Sequence, residues 1–150
     1  MKRFSFPLSR VLQLRRLQQD RAQAELLRLQ QEQTHLRQQQ ADLRQEKTAS
    51  LEAQRTAGTL TGSDLQMLSS YQRRLAAVLV DLEQQSVKKA DQISAQQAVA
   101  NDLERSCRLL ERMREREHAE WKQLEDKELD EISADAYLSR MRTLKENSRT

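Results

Sequence analysis

Residues 56–64 read TAGTLTGSD and hold both glycines, Gly58 and Gly62, of a 150-residue chain. From Leu8 to Ala57 there is no Gly and no Pro, and from Ser63 to Thr150 there is none either. Gly is a turn former, and long stretches without breakers read as helix. The spacing therefore predicts one coiled-coil domain over 1–150: a first helix at about 7–57, a loop at 58–63 and a second helix at about 64–145. Pro7 fits the first helical turn, where its missing N–H would be unpaired anyway. Gly58 suits the left-handed residue that closes a helix. Ser63 followed by Gln66 reads as the capping box of the next one.

Composition agrees. The chain has 23 Leu, 20 Gln and 15 Ala, but only seven Ile and Val together, and its mean hydropathy is −0.91. A sandwich or barrel needs β-branched residues and many turns, and an α/β domain needs a break every 10–15 residues or so. Long helix remains, with disorder as its rival. Leucine spacing decides between them. Stepping by seven from Leu68 gives Leu75, Leu82, Lys89, Gln96, Leu103, Leu110, Glu117 and Leu124, with a companion row Leu65, Gln72, Leu79, Ser86, Ile93, Ala100, Cys107, Arg114 and Trp121. The first helix carries Ala22, Leu29, Leu36 and Leu43, beside Leu12, Gln19, Leu26, Gln33 and Gln40. Seams this long imply supercoiled helices rather than disorder.

A short loop makes the helices antiparallel neighbours. The fold class is all-α, an antiparallel two-helix coiled-coil hairpin with a longer second helix. Folding about residue 60 sets residue i near 120 − i, so Leu8 falls near Arg112 and everything after about Met113 is expected to overhang. At 1.5 Å per residue the helices would be roughly 75 Å and 120 Å long.

Net charge is +3, with a pI near 9.2. Residues 1–57 carry 11 Lys+Arg against 6 Asp+Glu, residues 58–112 balance at seven each, and residues 113–150 carry 8 against 10. The basic opening, through Lys2, Arg3, Arg10, Arg15, Arg16 and Arg21, suits docking in an acidic socket steered by charge. The opening MKRFSFPLSRVLQLRR lacks the apolar core of a secretory signal. No run approaches the ~18 apolar residues of a membrane span. The acidic stretch EDKELDE at 125–131 reads as solvated helix, because its carboxylates do not converge. His35 and His118 stand alone, without a HExxH partner set, and no phosphate-binding loop is present. The lone Cys107 sits in a seam row and is expected in the core. No catalysis, cofactor, metal or nucleic-acid partner is expected, since the basic residues lack interleaved aromatics.

The opening RFSFPLSRVLQLR, with Phe4, Phe6, Leu8, Val11, Leu12 and Arg15, resembles the start of the flagellar export protein FliJ family. The stretches LTGSDLQMLSSYQRRLAAVL, RLLERMRERE and KELDEI resemble its second helix and C-terminal arm. The resemblance implies a component of the flagellar type III export apparatus, located in the cytoplasm at the inner-membrane face of the flagellar base. Such a protein acts as the central stalk of a hexameric export ATPase. It promotes assembly and activity of that ATPase and links it, with its regulator, to the cytoplasmic part of the membrane export gate and to export chaperones. Alone, the chain is expected to be a monomer. The family's gate-contacting pattern, an aromatic followed by small or apolar residues at i+4, i+7 and i+11, falls on Tyr71, Leu75, Val78 and Leu82. Tyr71 stands where Phe is usual, and Leu82 where the family is polar. The ATPase contact is assigned to Arg10, Arg15 and Arg16, with Arg112, Arg114 and Arg116 opposite them. The seam equally allows a self-associating structural tether, and the shape the stalk of a non-flagellar secretion system.

Overall fold

The structure is a computed structural model and describes residues 3–148; Lys2 of the basic opening lies outside the described residues. Two helices make up nearly all of it: α1, Ser9–Thr56, and α2, Gly62–Asn147, of 48 and 86 residues. No strand occurs among the described residues. This is the all-α hairpin with a longer second helix that the leucine spacing predicts. Contacts cluster into two units, Gln18–Asp102 and Met1–Leu17 with Leu103–Thr150.

In the unit Gln18–Asp102, the chain reverses through residues 57–61 and α2 runs back along α1. The seven-residue rows face inward. Ala22, Leu26, Leu29, Leu75 and Ala100 are buried, and Leu36, Leu43, Leu68, Leu79, Leu82 and Ile93 are half-buried. Each leucine withdrawn from water contributes up to about 1.5–3 kcal/mol when fully covered. Polar positions share the seam: Gln33 and Gln40 are both 8% exposed, and Lys47, Ser50, Gln54, Gln72, Ser86, Lys89 and Gln96 are half-buried. Cross-helix bonds satisfy several of them. Lys89 Nζ pairs with Glu32 Oε2 at 2.6 Å. Gln96 Nε2 donates to the Ala22 carbonyl at 3.1 Å, and Gln72 Nε2 to Gln54 Oε1 at 3.4 Å. Glu32 with Lys89, Ala22 with Gln96 and Glu46 with Tyr71 all fall close to the i, 120 − i register.

The loop differs in detail from the sequence reading. Gly58 has no positive φ, so no left-handed residue closes α1. The Ala57 N–H simply bonds the Ala53 carbonyl at 3.0 Å, and a five-residue connection leaves the reversal room without a strained residue. The capping box lies at Thr61 and Asp64 rather than at Ser63 and Gln66. Asp64 N–H donates to Thr61 Oγ1 at 3.3 Å, and the Asp64 carboxylate accepts from the Thr61 N–H at 3.1 Å and from its hydroxyl at 2.6 Å. Threonine with a carboxylate three residues on satisfies two orphan donors reciprocally, and α2 accordingly starts at Gly62. Leu65, placed in a seam row by spacing, is 44% exposed in this first turn and a half.

In the other unit, Leu12 is 2% exposed, Cys107 3% and Phe6 5%. Pro7 precedes α1 rather than lying inside it, and the Ser9 N–H bonds the Phe6 carbonyl at 3.1 Å. Here the overhang departs from expectation. Residues 4–6 are non-helical and reach along α2 as far as Trp121, so covered positions continue to Glu125 instead of stopping near Met113. The offset begins within α1, since Arg16 bonds Glu111 where the 120 − i register sets position 104, and the strap carries the pairing on to Trp121. From Asp126 to Ser148 every residue is exposed. Two positions of the predicted seam in this unit, Arg114 and Leu124, are exposed.

Candidate functional site

Two surfaces carry the residues singled out above. The first lies on α2 of the hairpin unit. Tyr71 and Val78 are 37% and 46% exposed, whereas Leu75 is 7% exposed and Leu82 half-buried. Residues at i and i+7 share a helix face, so Tyr71 and Val78 present one flank while Leu75 and Leu82 lie in the seam. The Tyr71 hydroxyl donates to Glu46 Oε1 of α1. That bond and the adjoining negative charge push the phenol pKa upward. The sequence pattern gave no sign of Glu46, because a long-range partner has no local signature. Further along, a cavity of about 460 Å³ is lined by Gln31, Glu32, His35, Leu36, Gln85 and Lys89. Its charges are internally compensated. Glu32 bonds both Lys89 and Arg28, and Arg28 also grips Glu25 at 2.5 Å. Lys89 and then Arg28 hold the Glu32 carboxyl below its ordinary range, Arg28 does the same for Glu25, and the carboxylates raise Arg28.

The second surface lies in the unit that contains the chain's opening. Arg10, Arg15 and Arg16 of α1 and Arg112, Arg114 and Arg116 of α2 are all exposed there. The structure brings the two sets into one unit, but they are not equivalent. Arg16 Nη2 bonds Glu111 Oε1 at 2.9 Å, which occupies it and offsets the like-charge Glu111–Glu115 spacing along α2. Arg10, Arg112, Arg114 and Arg116 form no ion pair among the described residues. Arg16 and Arg114 share the walls of two adjoining cavities of about 350 and 320 Å³, with Glu111, Glu115 and His118 on one side and Phe4, Ser5, Ser9 and Gln13 on the other. Phe4 meets His118 edge-on at 4.9 Å and Trp121 at 6.0 Å. This aromatic group escaped the sequence reading, which placed Trp121 in a seam row and His118 alone on a polar face. The signal was there, since the chain has only two Phe, two Tyr and one Trp.

Among the described residues, no group of three or more His, Cys, Asp or Glu side chains could hold a metal ion. No helix is long and apolar enough to cross a membrane. Paired helices with surface patches define a coiled-coil protein whose features are contact surfaces. The family model described as flagellar FliJ protein matches residues 4–142, and the chain belongs to that family. It is therefore a component of flagellar type III protein export. No curated relative and no solved structure matches it.

Proposed function

We propose that this protein is the central stalk of the hexameric export ATPase, engaged through the unit that carries Arg10, Arg15, Arg16, Arg112, Arg114 and Arg116. The observation that carries this reading is the set of four exposed arginines, Arg10, Arg112, Arg114 and Arg116, that form no ion pair among the described residues, in a chain of the flagellar export family. Unpaired guanidinium groups retain their donors for carboxylates, and a basic surface steers an acidic partner. The flank of Tyr71 and Val78, over Leu75 and Leu82, is the contact for the cytoplasmic part of the membrane export gate. On this reading the ATPase regulator and export chaperones are further partners, the chain alone is a monomer, and its place is the cytoplasmic face of the inner membrane.

Purified chain added to the export ATPase is expected to raise ATP hydrolysis at low salt. Charge reversal at Arg112 and Arg116 is expected to lower the apparent affinity roughly tenfold, the scale of an interfacial charge reversal, without loss of helicity. Absence of stimulation by excess chain would sink the stalk reading. Stable self-association at micromolar concentration in sedimentation would favour a structural tether instead.

A further inference from the structure

The unit that carries these arginines holds more than charge. Three of the chain's five Phe, Tyr and Trp residues, Phe4, Phe6 and Trp121, gather there with His118. Phe6 is 5% exposed and anchors the strap. It is followed by Pro7, whose ring disfavours the helical conformation at the preceding residue and whose missing N–H could not bond back to residue 3, so the helix does not extend into this segment. Phe4 is thereby held over α2, perpendicular to His118 at 4.9 Å and tilted against Trp121 at 6.0 Å, while His118 and Trp121 lie 5.9 Å apart. These are stabilising aromatic geometries. The cluster is nevertheless incomplete as a core, because Phe4 and Trp121 are only half-buried and His118 is exposed. Pairing the strap with α2 leaves their outer surfaces to water.

Charge differs between the two segments that meet at the cluster. Residues 3–17 carry four arginines and no acid, and residues 103–125 carry six Lys+Arg and six Asp+Glu. A partly open aromatic centre beside Arg114, which lines one cavity with Phe4 and another with His118 and forms no ion pair among the described residues, has the anatomy of a binding hot spot. We propose that Phe4, His118 and Trp121 form the hot spot of this unit, and that their occupant is an apolar protein surface bordered by carboxylates on the export ATPase. This inference rests on the stalk reading above and adds to it the residues that supply most of the affinity. An acidic-rimmed protein surface fits better than an anionic lipid layer. Glu115, Glu117 and Glu120 interleave with the basic residues on the same turns of α2. A uniform sheet of headgroup charge meets them all, whereas a protein can place its carboxylates against the arginines alone.

Trp121 is the sole tryptophan, so its emission reports on the cluster directly. The test titrates the full chain with the purified export ATPase, using Trp121→Phe as the blank for the partner's own signal, with complex formation scored separately by co-sedimentation. Binding is expected to shift Trp121 emission to the blue and to cut its quenching by acrylamide several-fold. Phe4→Ala is expected to weaken association roughly tenfold or more, the loss typical of a hot-spot aromatic, with unchanged helicity, while Val87→Ala on the hairpin unit leaves association unaltered. A complex that leaves Trp121 as accessible as in the free chain overturns the hot spot and spares the stalk reading. So does shielding of Trp121 by phosphatidylglycerol vesicles but not by the ATPase, which would assign the cluster to lipid. Failure of the wild-type chain to form a complex removes the stalk reading and the hot spot with it. The fluorescence comparison uses the wild-type chain, so it stands even if Phe4→Ala misfolds.

Discussion

At the scale of the residue, the loop glycines behave differently from what turn chemistry suggests. Neither Gly58 nor Gly62 has a positive φ, and a Cβ added at either meets nothing within 4 Å. Where alanine can adopt the native backbone without strain, it stabilises by narrowing the unfolded ensemble. Gly58→Ala is therefore expected to stabilise the protein by about 0.4–1 kcal/mol, read as a higher midpoint in urea; a loss of stability would show that the loop needs glycine after all. Asp64 offers a second test. The Thr61 hydroxyl, and after it the Thr61 N–H, hold its carboxyl below the ordinary 3.8. A carboxyl whose folded pKa is depressed contributes stability that is fully present above the unfolded value and is lost as pH falls through the folded one. The first turn of α2 is thus expected to be intact at neutral pH and to fray below about pH 4, with faster amide exchange around Asp64. Asp64→Ala is expected to abolish that pH dependence.

At the scale of the element, α1 and α2 are paired by a seam in which leucines alternate with amides. Such positions weaken a coiled coil while fixing its register. Gln96 bonding the Ala22 carbonyl and Lys89 bonding Glu32 are examples of the second effect. Gln40 is an example of the first. It is 8% exposed, and its Nε2 has no hydrogen-bond partner. A buried unsatisfied donor costs about 1–3 kcal/mol, and an apolar replacement of similar size removes that cost. Gln40→Leu is expected to raise the thermal midpoint, whereas Leu29→Ala, at a position 5% exposed, is expected to destabilise by about 2–5 kcal/mol. Equal effects of the two in calorimetry would contradict the seam as described.

At the scale of the whole molecule, association with the export machinery should be governed by the exposed arginines of the opening and of α2 and should weaken with salt. Raising ionic strength from about 0.05 to 0.5 M shortens the screening length several-fold, so the association rate is expected to fall steeply while dissociation changes little; stopped-flow mixing with the ATPase checks this. Much of the fold was legible beforehand. Two breaker-free stretches around TAGTLTGSD, and leucines in phase at seven, determined by themselves that the chain forms two helices paired antiparallel, most of the faces that meet, and, from Ala22 to Glu46, a register near 120 − i. These properties were readable because they repeat along the chain: each heptad restates the same local preference, and the sum overrides individual polar interruptions. The candidate sites were legible only as residue types. Only the tertiary structure decided that Arg16 is spent on Glu111 while Arg114 is free, that Tyr71 is tied to Glu46, and that Phe4 closes over His118 and Trp121. Each of those pairings joins side chains 25 to 117 positions apart, where no periodicity operates. It is set by where the antiparallel register and the extended strap place two surfaces face to face.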